Sequence, residues 1–448
     1  MKSPVPKHLQ MVAGVAVVER VLRAGLAIRP DRVIAVVTPA LADLPNRLGM
    51  DGQFEAIVQS PPTGTAGAVQ CALDAAPECA WLISLLGDSP LLTGDEVTRL
   101  IERARTSGAK VTILSCSLAN AGSYGRVERL DGRVARIVES KNDDPRHREG
   151  PTEINSGIMV LDAAWARQAL VRLPVDAVTG ELLLTDLVAF AAAKADPSDD
   201  TWPVDAVLAD ESVAHGVNDL VELADVDAIA RRRIRERHMR AGVTIVGPET
   251  VFIEEDVDIA AGATILPCSM LSGRTRVGTG SVIGPHSVLD DATIGERVTV
   301  TSSTVRAASV GSGSTVGPYS HLRRGTEVGA NVHLGNYVEM KDAVIEEGVR
   351  CGHHSYVGDA AVGANTNIGA GLITANFDGQ HKHRTRIGAN VFIGSGTVLI
   401  APVEVGDGAR TGAGAVVNRD VPPGKTVVGV PARSITSRHT SSDEERNG

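Results

Sequence analysis

The first half of the chain alternates short continuous apolar runs with amphipathic stretches. The runs Arg32–Thr38 (RVIAVVT), Trp81–Leu86 (WLISLL) and Lys110–Leu114 (KVTIL) are typical of buried parallel strands. The amphipathic segment Gly94–Ala104 lies between the second run and the third. Strands that alternate with helices in this way predict an α/β, doubly wound sheet over residues 1–218.

The pattern changes at residues 219–242, which are charged and helix-prone. This segment, DLVELADVDAIARRRIRERHMRAG, carries a single apolar stripe on an otherwise polar surface. We interpret it as a linker helix. The stripe consists of Leu220, Leu223, Val226, Ile229 and Ile234.

From residue 243 onward an aliphatic residue returns every six positions, often with glycine after it. Each unit can bury its aliphatic residue only by stacking on neighbouring units, so the repeat predicts a parallel β-helix of hexapeptide repeats over residues 243–435. Known hexapeptide helices are left-handed, an exception to the right-handed crossover rule. We expect residues 436–448 to form a disordered polar tail. The repeat positions include Val277, Ile283, Val310, Val316, Val328, Leu334, Val362, Ile368, Ile387, Ile393 and Val405.

One polar segment interrupts this repeat. Residues 374–386, TANFDGQHKHRTR, contain no repeat aliphatic although the period continues on both sides. An excursion of this kind predicts a loop that projects from one face of the solenoid, and its basic residues suit an anionic ligand. A solvated insertion without function is the alternative. The basic residues are His381, Lys382, His383, Arg384 and Arg386.

The composition of the chain argues against several classes of function. The net charge is −10, from 44 Lys and Arg against 54 Asp and Glu, which argues against a nucleic-acid partner. The five cysteines are scattered without the spacing of a zinc site or a disulfide framework. Neither a signal peptide nor an apolar run of about 18 residues is present, so we expect a cytoplasmic protein with no membrane partner.

Together these features resemble one family, the bacterial bifunctional enzymes that acetylate glucosamine 1-phosphate and uridylylate the product. The resemblance covers nearly the whole chain and is densest between Asn331 and Thr397. There the stretch NYVEMKDAVIEEGVRCGHHSYVGDAAVGANTNIGAGLITANFDG follows the family closely. The resemblance implies a nucleotidyltransferase-like first domain, a β-helix acetyltransferase domain and a homotrimer. The implied substrates are glucosamine 1-phosphate, acetyl-CoA, UTP and N-acetylglucosamine 1-phosphate.

Acetyl transfer to a sugar amine requires a base, because the amine is protonated at neutral pH. Histidine is the usual base, and His353 in CGHHSY matches the catalytic histidine of the family. Its neighbour His354 stands where the family usually has an apolar residue. Because successive side chains on a strand alternate in direction, we expect only one of the two to face the site, and we assign that role to His353. A purely structural histidine at a coil corner is the alternative.

The resemblance also implies the groups that bind substrates in this half. It assigns the sugar phosphate to cationic side chains, the sugar to polar ones and the acetyl-CoA arm to small residues. The phosphate residues are Arg323, Lys341 and Lys382; the sugar residues are Tyr356, Asn367 and Asn376, with Glu339 orienting the amine; the acetyl-CoA residues are Ala370, Ser395 and Ala413.

Two positions depart from the family pattern. Phe377 stands where the family often has tyrosine, and this removes a hydroxyl group. The arginine expected near the C-terminal end is replaced by Gly429 and Val430, with Arg433 slightly later. We expect weaker CoA binding from the second change, with the chemistry retained.

The first half matches the uridylyltransfer motifs unevenly. Asp88 follows an apolar strand, at the edge where α/β sheets bind ligands, and with Asn218 it resembles the family's Mg²⁺ pair. Alone, such an aspartate is as often a helix cap. The remaining matches are Lys7 for the nucleotide phosphates, Gln59, Gly64 and Thr65 for uracil, and Gly125, Glu139, Asn155 and Asn218 for the rest of the substrate.

The opening residues MKSPVPK resemble the end of a longer signature, a strand followed by a Gly-rich loop that holds the triphosphate. Met1 coincides with a methionine inside that signature. We therefore expect that the chain retains acetyl transfer and that its uridylyl transfer is impaired. Two alternatives stay open: an acetyltransferase for another amino-sugar 1-phosphate with a degenerate first domain, and a non-catalytic scaffold paralogue.

Overall fold

The computed structural model describes residues 3–140, 151–176, 180–195 and 201–435. The chain divides into two compact units, Met1–Ala230 and Arg231–Gly448, and each is described by itself. The polar tail predicted for residues 436–448 lies outside the described residues.

The first unit contains helices and strands in alternation. Its helices are α1 (Val17–Ala27), α2 (Leu44–Leu48), α3 (Thr65–Ala75), α4 (Gly94–Ser107), α5 (Ala163–Leu170) and α6 (Asp186–Ala192). Its strands are β1 (Met11–Val12), β2 (Val15–Ala16), β3 (Ile34–Val37), β4 (Glu55–Val58), β5 (Trp81–Ser84), β6 (Val111–Leu118), β7 (Arg126–Leu130), β8 (Arg133–Val138), β9 (Thr152–Asp162) and β10 (Val204–Ala209).

The main sheet of this unit has the strand order β10-β6-β9-β7-β8, with β5 also paired to β9. Strands β3 and β4 form a separate parallel pair. The prediction of parallel strands is right for β3, and for β6 where it pairs with β10, but it is wrong for β5, which runs antiparallel to β9. A continuous apolar run indicates that both faces of a strand are buried, but it does not indicate whether the neighbouring strand is parallel or antiparallel.

Alternate residues of the central strands enter two apolar layers. Ile113 and Leu161 pack with Leu73 of α3 on one face of the sheet, in a layer that also contains residues of α5 and α6. Leu114 packs on the other face, with Leu100 of α4. Helices on both faces of one sheet confirm the predicted α/β doubly wound class.

A long helix, α7 (Leu220–Arg240), follows the first sheet. The prediction of a helix at residues 219–242 is confirmed. The apolar stripe is only partly buried: Val226 and Ile234 are enclosed, whereas Leu220 is 53% exposed. No helix among the described residues has the length and apolar character that crossing a membrane requires.

The second unit is a left-handed parallel β-helix. Its strands are β11 (Thr244–Ile245), β12 (Phe252–Ile253), β13 (Asp258–Ile259), β14 (Thr264–Ile265), β15 (Met270–Ser272), β16 (Arg276–Val277), β17 (Val282–Ile283), β18 (Val288–Asp290), β19 (Thr293–Ile294), β20 (Thr299–Val300), β21 (Thr304–Arg306), β22 (Ser309–Val310), β23 (Thr315–Val316), β24 (His321–Leu322) and β25 (Glu327–Val328). They continue as β26 (His333–Asn336), β27 (Glu339–Ile345), β28 (Arg350–His353), β29 (Tyr356–Val362), β30 (Asn367–Ile368), β31 (Ile373–Ala375), β32 (Thr385–Ile387), β33 (Phe392–Ile393), β34 (Val398–Ile400), β35 (Val403–Val405), β36 (Arg410–Thr411), β37 (Val416–Val417), β38 (Thr426–Val428) and β39 (Arg433–Ser434).

From β11 to β38 the strands pair in parallel with their equivalents on neighbouring coils, so that side chains stack in rows along the solenoid; the last strand, β39, runs antiparallel to β38. On one face Leu334, Cys351, Ile368 and Ile393 follow one another in register and are all buried. The aliphatic repeat positions predicted from the sequence are likewise buried. Stacking on neighbouring coils is therefore what excludes water from residues that no single hexapeptide could cover.

Candidate active sites

Three successive coils of the β-helix bring together most of the polar residues singled out in the sequence. Glu339 on β27 is in register with Tyr356 on β29, and Lys341 is in register with Gly358. Arg323 follows β24, and its Nη1 donates to Glu339 Oε1 at 2.8 Å. Glu339 is thus held by the predicted phosphate-binding arginine.

The side-chain amines of Lys341 and Lys382 lie within hydrogen-bonding reach of each other. The hydrogen bond to Lys341, and the charge of that ammonium group, lower the pKa of Lys382. The bond to Lys382 raises the pKa of Lys341, as does the carboxylate of Asp342, whose Oδ2 lies 3.3 Å from Lys341 Nζ. Two amine groups this close together place positive charge where a phosphate dianion can bind.

Asn376 is 8% exposed and is connected to these lysines through Asp359, whose charge acts on both of them. Its Nδ2 donates to Asp359 Oδ2 at 2.5 Å and reaches the hydroxyl of Tyr356 at 3.5 Å. Gly358 allows this approach, because a Cβ there would lie 2.4 Å from the Tyr356 hydroxyl. Asp359 is not among the residues predicted from the sequence. The GDA tripeptide at 358–360 was the available signal, because an aspartate next to a glycine favours a turn; the structure gives Asp359 a φ of 48°.

The polar interruption of the repeat forms a short hairpin between β31 and β32. Phe377 and Lys382 pair across it through their backbones. Asp378 closes the turn: its Oδ1 accepts from the backbone N–H groups of Gln380 and His381 at 2.7 Å. The bond from His381, together with the side-chain bond to His383, lowers the pKa of the Asp378 carboxyl. The predicted loop is therefore an ordered hairpin that carries Lys382.

His353 and His354 occupy different conformations at one coil corner. His353 is exposed and ends β28, whereas His354 has a φ of 39° and so lies outside the strand. The alternation of strand side chains does not apply to this pair. The ring of His354 stacks on Tyr337 at 5.0 Å, and Tyr337 stacks on Tyr319 at 5.3 Å. The stack includes His354, and in the part of the chain that the structure describes no aromatic ring stacks on His353.

The three small residues that the resemblance assigns to acetyl-CoA stand in one row. Asn367, Phe392 and Arg410 are in register on β30, β33 and β36. Ala370, Ser395 and Ala413 each follow three residues later. Backbone bonds connect their turns: Gly396 N donates to Ala370 O at 2.7 Å, and Gly414 N donates to Ser395 O at 2.8 Å.

In the first unit, Lys7 connects the two residues predicted to hold Mg²⁺. Its Nζ lies 2.6 Å from Asp88 Oδ2 and 3.5 Å from Asn218 Oδ1. The backbone N–H of Val217 also donates to Asp88 O at 3.1 Å. Within the described ranges no three His, Cys, Asp or Glu side chains gather as a metal cluster. The oxygen donors of Asp88 and Asn218 nevertheless fit Mg²⁺, which keeps waters and substrate phosphates as its other ligands.

The residues predicted to contact uracil lie where β4 leads into α3. Gln59 Nε2 donates to Thr63 Oγ1 at 2.9 Å. Gly64 has a φ of 92°, and a Cβ there would lie 2.6 Å from the carbonyl oxygen of Leu182. The hydroxyl of Thr65 accepts from the backbone N–H of Leu184 at 3.1 Å. These bonds hold the segment against the 182–184 backbone.

A further group of predicted residues surrounds Gly125. Its carbonyl accepts from the backbone N–H of Asn155 at 2.8 Å, and Glu139 Oε1 accepts from Thr185 Oγ1 at 3.1 Å. A Cβ on Gly125 would lie 3.7 Å from Glu139 and 2.7 Å from Ile137. The buried Oδ1 of Asn155 has no hydrogen-bond partner among the described residues. An unsatisfied buried acceptor at this point suits a donor group from a substrate.

Two family models match parts of the chain: the MobA-like NTP transferase domain over residues 1–130 and the bacterial transferase hexapeptide over residues 384–419. The bifunctional protein GlmU of Mycolicibacterium vanbaalenii is 40% identical over 97% of this chain and 89% of its own length. GlmU of Bifidobacterium longum is 40% identical over 94% of this chain and 92% of its own length. GlmU of Streptococcus agalactiae is 37% identical over 96% and 92%.

The fold and these matches define a bifunctional transferase, with a nucleotidyltransferase-like unit followed by a hexapeptide acyltransferase. The resemblance seen in the sequence is confirmed. The chain belongs to the GlmU family.

Proposed function

We propose that this chain transfers the acetyl group of acetyl-CoA to glucosamine 1-phosphate. The N-acetylglucosamine 1-phosphate so formed then reacts with UTP to give UDP-N-acetylglucosamine and pyrophosphate. One observation carries the acetyltransferase part: Asp359, whose charge acts on both Lys341 and Lys382, accepts a hydrogen bond from the Asn376 amide, on coils next to the corner that bears His353.

In the acetyl transfer, His353 accepts a proton from the ammonium group of the sugar. The free amine attacks the thioester carbonyl carbon, a carbon–nitrogen bond forms, and the carbon–sulfur bond breaks. The nitrogen is positively charged after the attack and gives up a second proton. Coenzyme A leaves as a thiolate and takes up that proton to give the free thiol, while the first proton passes from His353 to solvent. A positioned general base of this kind contributes roughly 10²–10⁴ to the rate.

The substrate is held at both ends. Arg323, Lys341 and Lys382 bind the phosphate dianion. Arg323 is oriented by its hydrogen bond to Glu339, and the two lysine amines lie within hydrogen-bonding reach of each other. Tyr356, Asn367 and Asn376 contact the sugar. The thioester arm lies along the corner row of Ala370, Ser395 and Ala413, where small side chains and backbone groups line the turns.

In the uridylyl transfer, a phosphate oxygen of N-acetylglucosamine 1-phosphate attacks the α-phosphorus of UTP and pyrophosphate leaves. Asp88 and Asn218 hold Mg²⁺, which neutralises phosphate charge when it is bound. Lys7 supplies a further cation at the same place. The segment Gln59, Gly64 and Thr65 binds the uracil, and the group Gly125, Glu139 and Asn155 binds the sugar.

We further propose two domains joined by a linker helix, and a homotrimer. The boundaries are 1–218 for the nucleotidyltransferase, 219–242 for the linker helix and 243–435 for the acetyltransferase. A trimer would let a neighbouring chain contribute to the site, and closed rotational symmetry is usual in such assemblies. Light scattering that shows a fully active monomer would refute the trimer.

All five cysteines are free thiols, which supports a reducing, cytoplasmic location.

The acetyltransferase is tested by following free thiol during titration of acetyl-CoA. Thiol release that requires glucosamine 1-phosphate supports the proposal. Release with a different amino-sugar 1-phosphate alone favours the specialised enzyme, and no release with either favours the scaffold. Pyrophosphate release from UTP and N-acetylglucosamine 1-phosphate, with and without Mg²⁺, tests the second activity. The same assay decides the sequence-based expectation that this activity is impaired.

A further inference from the structure

We propose that Asp359 is a positioning residue of the acetyltransferase site: its carboxylate orients the Asn376 amide so that Asn376 Oδ1 accepts a hydrogen bond from the amino sugar. The inference rests on the acetyltransferase function proposed above. It assigns a role to a carboxylate that does not touch the reacting atoms.

The orientation of the amide follows from the chemistry of its neighbour. A carboxylate only accepts hydrogen bonds, so the edge of Asn376 that lies 2.5 Å from Asp359 Oδ2 must be the NH₂ group. The same NH₂ group reaches the Tyr356 hydroxyl at 3.5 Å. Oδ1 is therefore on the opposite edge of the amide, and it has no hydrogen-bond partner among the described residues. An N–H or O–H group of a ligand can occupy that acceptor.

The backbone around Asp359 is built for this contact. Its φ of 48° lies in the left-handed region, which aspartate and asparagine tolerate better than most residues. The preceding Gly358 brings the chain close: a Cβ there would lie 2.4 Å from the Tyr356 hydroxyl and 2.9 Å from Asn376 Nδ2. The backbone N–H of Gly358 donates to Thr374 Oγ1 at 2.8 Å, which ties this corner to the next coil.

Asp342 provides a matched control one coil earlier. It follows Lys341, which is in register with Gly358, and its φ of 46° is nearly that of Asp359. Both carboxylates lie near the lysine pair, and Asp342 Oδ2 is 3.3 Å from Lys341 Nζ. Of these two carboxylates, Asp359 is the one that accepts a hydrogen bond from the Asn376 amide. Comparing the variants at 342 and 359 therefore separates a general effect of negative charge from a specific effect on the amide.

The test compares Asp359→Asn, Asp342→Asn and the exchange Asp359→Asn with Asn376→Asp in steady-state acetyl transfer. Asparagine suits the left-handed backbone, so both single variants should fold, and thermal melting checks this. In Asp359→Asn the neighbouring group can donate as well as accept, and the Asn376 amide can turn. We expect kcat/KM for glucosamine 1-phosphate to fall about tenfold or more, the usual effect of losing a hydrogen bond to a charged group. The KM for acetyl-CoA should stay unchanged.

The exchange variant restores an amide that donates to a carboxylate, now from position 359 to position 376. Position 376 again presents an oxygen to the sugar, and we expect most of the lost kcat/KM to return. Any loss in Asp342→Asn acts through Lys341, so it should be smaller than the loss in Asp359→Asn and should not be recovered by Asn376→Asp. Equal losses in the two single variants, a rise in both KM values, or an exchange variant no better than Asp359→Asn would overturn the proposal. Wild-type protein that releases no thiol with glucosamine 1-phosphate would instead refute the proposed function itself.

Discussion

The imidazole of His354 stacks on the ring of Tyr337 with 5.0 Å between centroids and 22° between planes. Tyr337 stacks in turn on Tyr319, so three rings from successive coils form one column on the surface of the β-helix. The two adjacent histidines of CGHHSY therefore have different surroundings. One is fixed in a stack, and His353 at the end of β28 is available for chemistry.

Replacement of His353 by alanine should lower kcat for acetyl transfer by roughly 10²–10⁴, because the amine of the substrate would lose its general base. His354→Ala is the matched control, since it removes a neighbouring imidazole that the stack already occupies. Its kcat should stay within about fivefold of wild type, because loss of one ring contact is worth only about 1 kcal/mol. Comparable losses in thiol release at the two positions would contradict the assignment.

The affinity for glucosamine 1-phosphate should weaken as pH rises through the lowered pKa of Lys382. The hydrogen bond to Lys341 and the charge of that amine lower this pKa, so Lys382 loses its proton before an ordinary lysine does. The phosphate needs the protonated form; the interaction is therefore complete below that pKa and is lost above it. The KM for the sugar phosphate, measured at alkaline pH, reports the change.

Lys382→Arg separates this effect from general alkaline inactivation, because a guanidinium group keeps its charge over the whole range. Its KM for the sugar phosphate should vary less with pH than that of wild type. The KM for acetyl-CoA should follow the same pH profile in both proteins. A variant whose sugar-phosphate KM rises with pH as steeply as that of wild type would exclude Lys382 as the titrating group.

Gly358→Ala should damage the sugar site specifically. The new Cβ would lie 2.4 Å from the Tyr356 hydroxyl and 2.9 Å from Asn376 Nδ2, so both side chains must move. Overpacking of this kind costs about 1–3 kcal/mol, which corresponds to a loss of roughly tenfold or more in kcat/KM for glucosamine 1-phosphate. Gly352→Ala is the control, since a Cβ there would meet nothing within 4 Å. Similar kinetics for the two variants would count against the close approach at Gly358.

Lys7 should compete with divalent cations for Asp88. Its ammonium lies 2.6 Å from Asp88 Oδ2 and 3.5 Å from Asn218 Oδ1, where the cation is proposed to bind. Lys7→Met should therefore bind Mn²⁺ more tightly than wild type in the absence of nucleotide, and Asp88→Asn should bind it more weakly. Electron paramagnetic resonance of free Mn²⁺ measures both without requiring catalysis.

Lys110→Met is the control for the Mn²⁺ experiment, because Lys110 pairs with Asp162 at 2.7 Å in another part of the same unit. Its Mn²⁺ affinity should equal that of wild type. Unchanged affinity in Lys7→Met would show that the ion pair and the cation site are separate.

The sequence by itself determined the β-helix and its interior. A hexapeptide period is a local pattern, and the burial of each aliphatic residue follows from stacking identical units. Positions such as Val316 and Ile393 could therefore be assigned to the interior without any knowledge of distant contacts. The candidate base His353 came from a motif that is continuous in the chain.

Only the tertiary structure decided which side chains meet across coils and sheets. The bond between Asp359 and Asn376 depends on the number of residues in one coil and on the hairpin that follows it. The direction of β5 depends on β9, which arrives from far along the chain. The contact of Lys7 with Asp88 is of the same kind. Such contacts depend on the path of the backbone through the whole fold. Apolar periodicity predicts that a residue is buried, but it does not predict which residue lies against it.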